Sequence, residues 1–204
     1  QNGTFLSNNF TISCKKFSSS GSAVRTVTLG TSTINLTRGS SLIWDTSTIT
    51  NLTWSAASST IIISVGGSST FNFNGGGLTF GTLTYIVSGS TGELDITGSN
   101  SFAQINFSDV TNARSLKFTA ATTTTIRNTN GFNIQGTSGK LMTIASVTAA
   151  THTLTSTQKQ ICNYLHLTNS LAGGGGSWYA GANSTDNGGN TGWIFTAAPI
   201  TGGG

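Results

Sequence analysis

The sequence predicts an all-β chain wound as a parallel β-helix, a solenoid with coils of roughly 22 residues; a β-sandwich is the alternative. Two observations predict it. Between Ile61 and Phe118, pairs of apolar residues two positions apart recur at a near-constant interval: Ile61/Ile63, Phe71/Phe73, Leu83/Tyr85, Leu94/Ile96, Ile105/Phe107 and Leu116/Phe118. Alternation of this kind marks half-buried strands, and strands returning at a fixed interval mark a repeat architecture. The second observation is the scarcity of hairpin signals. The Asn-Gly steps are Asn2-Gly3, Asn74-Gly75, Asn130-Gly131 and Asn187-Gly188, and there is no Asp-Gly. A sandwich needs such turns between its strands.

The starts 61, 83 and 105 are 22 residues apart, as are 94 and 116. Strands of about five residues span roughly 17 Å and lie about 4.8 Å from their neighbours, so 22 residues hold two or three strands and their turns. On this register Leu83 lies between Ile61 and Ile105, Tyr85 between Ile63 and Phe107, and Leu94 and Ile96 under Leu116 and Phe118.

Composition agrees. Charged residues make up 7% of the 204 residues, against about 25% in ordinary globular proteins. β-Branched and aromatic residues are spread evenly, which excludes a disordered chain. The net charge of +4 comes from nine scattered Lys and Arg, of which Lys15-Lys16 are adjacent. Nucleic-acid binding would call for a clustered basic stripe, so these read as solvated surface charge. No apolar run is long enough to span a membrane as a helix. The chain begins at Gln1, which reads as a processed product or a piece of something longer, with no signal peptide visible. Cys14 and Cys162 are 148 residues apart. Several coils would separate them, too far for a disulfide within one chain.

The rhythm is looser from 1 to 60, where Phe5/Leu6, Phe10/Ile12, Val27/Leu29, Ile34/Leu36, Leu42/Trp44 and Leu52/Trp54 are the candidate core pairs. Gly30 and Arg38-Gly39-Ser40-Ser41 read as turns, and Gly66-Gly67 and Gly75-Gly76-Gly77 as tight corners. After Phe118 the rhythm slips by five residues to Phe132/Ile134, which predicts a lengthened loop over Arg127–Gly131. Leu154, 22 beyond Phe132, and Leu165/Leu167, 11 further on, continue the count, with Leu141, Met142 and Ile144 in the core. The domain division is 1–170 for the solenoid, 171–196 for an aromatic and glycine-rich C-terminal cap, and 197–204 for a tail. Trp178, Trp193 and Phe195 are expected to fold back over the last coil, because a terminal coil exposes its core and an unpaired edge.

Three stretches carry a resemblance: Phe73-Asn-Gly-Gly-Gly-Leu-Thr-Phe80, Leu116-Lys-Phe-Thr-Ala120 with the run Thr122–Thr125, and Trp178-Tyr-Ala-Gly181 with Asn190-Thr-Gly-Trp-Ile-Phe195. They resemble repeat-rich β-helical proteins of bacteriophage virions, of the tail-fibre, head-fibre or decoration type, and of bacterial surface adhesins. The resemblance runs from about Phe10 onward. It implies a non-enzymatic structural or attachment module, in a virion or outside the cell, partnered by other virion or filament subunits and by cell-surface glycan, and assembled as a homo-oligomer, often a trimer. It implies no catalytic, cofactor-binding or metal-binding residues, and no partner among nucleic acids or membranes.

The residues allow sharper alternatives, each with a plainer competitor. Glu93 and Asp95, two apart on a strand, have the spacing of the carboxylate pairs with which tailspike-like enzymes cut polysaccharides; in the 22-residue register Asp95 lies beside Lys117, an ordinary surface pair. His152 and His166 have no ligand spacing to Cys or Asp and read as surface or half-buried histidines. Asn183, Asp186, Asn187 and Asn190 could hold Ca²⁺ through oxygen atoms, or form a polar turn closed by its own hydrogen bonds. Thr26/Thr28, Thr31/Thr33, Thr48/Thr50, Thr122/Thr124 and Thr153/Thr155 do not recur at 22, so a regular Thr-x-Thr array of the ice-binding kind is not expected. The glycine-rich stretches lack the following helix or Lys-Ser/Thr of a phosphate loop.

Overall fold

A computed structural model describes residues 2–37, 40–67, 69–89, 92–109 and 111–199; the turn read at Arg38-Gly39 and the end of the tail, 200–204, lie outside the described residues. Among the described residues there is no helix. The chain is a parallel β-solenoid of about eight turns with roughly 23 residues between equivalent strands. Every pair of strands is parallel, and the one antiparallel bridge among the described residues joins Thr137 to Lys140 within a turn. No Asn-Gly step makes a hairpin between strands.

Each coil has three sides. The first face stacks Gly3–Leu6, Arg25–Thr28 and Leu52–Ser55, and continues through the starts of Thr79–Val87 and Ser101–Ser108 to Thr123–Ile126, His152–Thr155 and Ser170–Gly173. The second face stacks Thr11–Cys14, Thr33–Leu36, Thr60–Val65, the later parts of Thr79–Val87 and Ser101–Ser108, Phe132–Gln135, Gln160–Ile161, Trp178–Tyr179 and Trp193–Ile194. The third stacks Phe17–Ser18, Leu42–Asp45, Thr70–Asn74, Glu93–Thr97, Ser115–Phe118, Met142–Ser146, Leu165–Leu167 and Thr185–Asp186.

The register read from the sequence is the observed one in the middle coils. Leu83 pairs with Ile61 and Ile105. Tyr85 pairs with Ile63, and its ring lies 4.8 Å from that of Phe107. Leu94 and Ile96 pair with Leu116 and Phe118. The apolar doublets mark the second and third faces. The first face escapes the two-beat pattern because its middle coils contribute a single large aromatic, Phe80 and then Phe102, stacked at 5.3 Å. Phe132 does pair with Ile105, across the lengthened loop over Arg127–Gly131. Leu154, however, belongs to the first face beside Thr124 and Ala172, not above Phe132; its spacing of 22 is a coincidence of unequal coils.

The interior is apolar and aromatic. Phe17, Trp44 and Phe73 form a stacked column on the third face, with centroids 4.3 and 5.4 Å apart. Met142 and Ile144 are buried, whereas Leu141 is half-buried. At the N-terminal end the core is open: Phe5, Leu6 and Phe10 are exposed. The corners turn on left-handed residues, asparagines among them, at Asn8, Asn51, Asn130 and Asn169. Gly76 has φ +67°, and a Cβ there would lie 2.1 Å from the Thr46 carbonyl oxygen, so the backbone passes too close for any other residue.

The C-terminal segment departs from the expected fold-back. Trp178–Tyr179 pairs with Gln160–Ile161, Trp193–Ile194 pairs with Trp178–Tyr179, and Thr185–Asp186 pairs with His166–Leu167. The segment therefore continues the ladders in shrinking coils. The ring of Trp193 packs on the core as anticipated, 5.3 Å from Trp178 and 6.2 Å from Phe132, with its indole N–H donated to Ser170 Oγ at 3.1 Å.

Candidate functional surface

Charge is sorted by face. The outward side chains of the first and second faces are Thr, Ser, Asn, Gln, Ile and their like. The charged strand residues that point outward are Asp45, Glu93, Asp95, Lys117 and Asp186, all on the third face. Asp109, the remaining acid, sits at the corner leading into that face.

Not all of the basic residues are solvated surface charge, as composition had suggested. Three arginines tie the three corners. Arg25, buried, donates to the carbonyls of Ala23, Thr50, Ser19 and Thr48 and to Ser19 Oγ, closing the corner between the third and first faces. Arg114, buried, pairs with Asp109 at 2.7 Å and donates to the carbonyls of Val87 and Gly89 at the corner between the second and third. Burial raises the Asp109 carboxyl, but hydrogen bonds from Thr111 and Arg114 outweigh it and hold the group well below the usual carboxylate range. Arg127 folds back over the corner between the first and second faces. It donates to Ser101 Oγ at 2.9 Å, the Phe80 carbonyl at 2.7 Å and the Ala57 carbonyl at 3.2 Å, and so straps neighbouring coils together.

Glu93 and Asp95 do point to the same side of their strand, but the partnership differs from the expected one. Lys117 Nζ lies 2.5 Å from Glu93 Oε2, not on Asp95. Glu93 Oε1 also accepts from Thr70 Oγ1 at 3.3 Å. Asp95 is 8% exposed, and its Oδ1 has no hydrogen-bond partner. Burial, then the Glu93 charge, push the Asp95 carboxyl up to about 6. The two carboxyl groups share a hydrogen bond when Asp95 is protonated. That is closer than the roughly 5 Å minimum of a glycosidase pair, and they lie on a flat sheet rather than astride a groove.

His152 is not a surface residue. It is fully buried on the first face, stacked 4.9 Å from Phe118, with Nδ1 2.9 Å from Ser146 Oγ and Nε2 unpartnered. Burial lowers its pKa to about 4. His166 is half-buried on the third face. Among the described residues no three His, Cys, Asp or Glu side chains cluster as a metal site would require. In the C-terminal turn, Asp186 Oδ1 accepts from Asn190 Nδ2 at 2.6 Å and from the Gly188 amide at 2.9 Å. Asn183 and Asn187 bond to Asn163 and Thr168 on the coil below. The turn's oxygen atoms are thus engaged by the protein itself, as the plainer reading has it.

Cys14 and Cys162 are both free. Burial pushes the Cys162 thiol up to about 12.

The threonines are more ordered than the sequence interval suggested. Thr11, Thr33, Thr60 and Thr82 stand in one file on the second face, and Thr4, Thr26 and Thr53 in one on the first. Coil lengths of 22 and 27 residues alternate there, which hides the file from a fixed-period search. The neighbouring file on the second face reads Ser13, Asn35, Ile62, Thr84, Asn106 and Asn133, so a Thr-x-Thr array is absent there.

The openings are shallow. One of about 500 Å³ lies beside Thr84, Ile86, Asn106 and Asn112, and one of about 660 Å³ is the open N-terminal end around Phe5, Ile12 and Phe17. Compared with known proteins, the chain matches no family model, no curated protein and no solved structure.

Proposed function

We propose that this chain is a non-enzymatic structural module, a rigid scaffold with an attachment surface, of the kind found in a phage fibre or decoration component. The observation that carries the reading is the unbroken stack of parallel ladders over about eight turns. Such a stack has a continuous aromatic core and corners strapped by arginine, a construction that resists bending. Its flat sides are hydroxyl- and amide-rich, suited to contact with neighbouring subunits or with glycan. The assignment to a virion rests on the resemblance of the Gly75–Phe80 and Trp178–Phe195 stretches. A bacterial extracellular filament or adhesin module is the second reading, favoured by the same uncharged faces.

Mass spectrometry of purified particles, with gold-labelled antibody to this chain in electron microscopy, tests the proposal. Labelling of a fibre or capsid surface supports it. Recovery only from a cell-envelope fraction favours the adhesin. Release of new reducing ends from polysaccharide by the purified chain would overturn the non-enzymatic part.

A further inference from the structure

The second face has a property that the scaffold reading alone does not require. Its strands, from Thr11–Cys14 to Trp193–Ile194, contain no Asp, Glu, Lys or Arg. In a chain of net charge +4, a face clear of charge over the whole length of the solenoid is where a second copy can approach without like-charge repulsion. Interface cores are depleted of Lys, Glu and Asp in the same way.

We infer that the second face is the surface through which this chain associates with further copies of itself. The face is also the flattest and most continuous of the three. It carries the long strands Thr60–Val65, Thr79–Val87 and Ser101–Ser108. The first face, equally free of outward charge, is broken into shorter strands and edged by the Arg127 strap. The second face also presents apolar side chains to the outside. Ile86 is 50% exposed, Ile62 stands one file over, and Ile161, Tyr179 and Ile194 are direct register partners at the C-terminal end.

The area suffices. Strands roughly 17 Å long, stacked about 4.8 Å apart for eight turns, give about 650 Å² per copy, or about 1,300 Å² for two, within the range of specific interfaces. Association through this face leaves the charged third face outside, in contact with water. The inference rests on the scaffold reading but is tested separately from it.

The experiment is light scattering on the purified chain, about 20.9 kDa, with charges introduced by Thr84→Lys plus Asn106→Lys on the second face and by Asn72→Lys plus Thr143→Lys on the third. The expected result is a mass of two or more chains for the wild type and the third-face variant, and a single chain for the second-face variant, with unchanged far-ultraviolet circular dichroism and melting. Thr84→Glu supplies a second arm. It too should be monomeric, so that the sign of the charge does not matter. A wild type that stays monomeric at about 100 µM, or a folded second-face variant that keeps the wild-type mass, overturns the inference. A monomer that instead binds a neutral polysaccharide through Thr84 and Asn106 replaces the second copy with a glycan. Particle composition, which decides the scaffold reading, is untouched by either result.

Discussion

Asp95 and Lys117 are direct partners in the ladder of the third face, yet the lysine's ammonium group is held by Glu93, two residues earlier on the same strand. Asp95 is left half-paired in a crowded surface. Its raised pKa gives a sign to test. A group whose folded pKa lies above its unfolded value stabilises the fold when protonated, and that contribution is lost as pH rises through the folded value. Asp95 therefore costs stability from about pH 4 up to about pH 6 and beyond. Asp95→Asn should stabilise the protein at pH 7.5 by about 1–3 kcal/mol, and the gain should shrink toward zero at pH 4. Thermal melts of both proteins across that range check it; a variant less stable at neutral pH would contradict it.

His152 works in the opposite direction. Its folded pKa of about 4 lies below the ordinary value, so the imidazole is stable when neutral and its contribution is lost as pH falls from about 6.5 through 4. In the wild type the two trends oppose each other over that window. His152→Leu should remove the acid-side loss. Its stability should then rise as pH falls from 7 to 4, where the wild type's changes little. Denaturant titrations at four or five pH values would show whether the slopes differ.

The corner strap gives a third prediction. Arg127→Ala strips hydrogen bonds from the Phe80 and Ala57 carbonyls and from Ser101, and bonds to a charged donor are worth about 1.5–3 kcal/mol each. With partial exposure and water as a substitute, a loss of about 2 kcal/mol is expected, read as a drop of roughly 4–8 °C in melting temperature. Arg127→Lys should recover little, because one ammonium group cannot reach three acceptors on two coils.

Core substitutions test the ladders themselves. Leu83→Asp and Ile105→Asp each place an unpaired charge in a position with no exposure, at a cost of several kcal/mol. Both should fail to fold. Wild-type-like melting of either would contradict the register.

The thiols should separate cleanly by reactivity. Cys14 is half-buried beside the open N-terminal end, whereas Cys162 is buried with its thiol pKa raised. A thiol reagent at pH 8 should label one site per folded chain and two per unfolded chain, as counted by intact mass.

Much of this architecture is legible in the chain because burial on two faces repeats as apolar doublets, so Leu83, Leu94 and Ile105 announce their partners. The first face is silent because single aromatics such as Phe80 and Phe102 leave no alternating pair. Corner insertions then shift later coils out of phase, which is why Leu154 was assigned to the wrong side and the threonine file through Thr33 and Thr60 went unseen. The roles of Arg25, Arg114 and Arg127 are illegible for a different reason. Each acts on carbonyl groups, which every residue has, so no sequence pattern marks the partner. The burial of His152 has a faint signal: it alternates with Leu154 on one strand, and that alternation places it inward.

The coils differ in length, yet the added residues gather at the corners while the faces keep their ladder spacing. Girth and height are therefore independent variables. A segment inserted at a corner such as Arg127–Gly131 widens one turn and leaves the axial position of every later rung where it was. The molecule behaves as a ruler graduated at about 4.8 Å, on which peripheral loops can be exchanged without moving the marks.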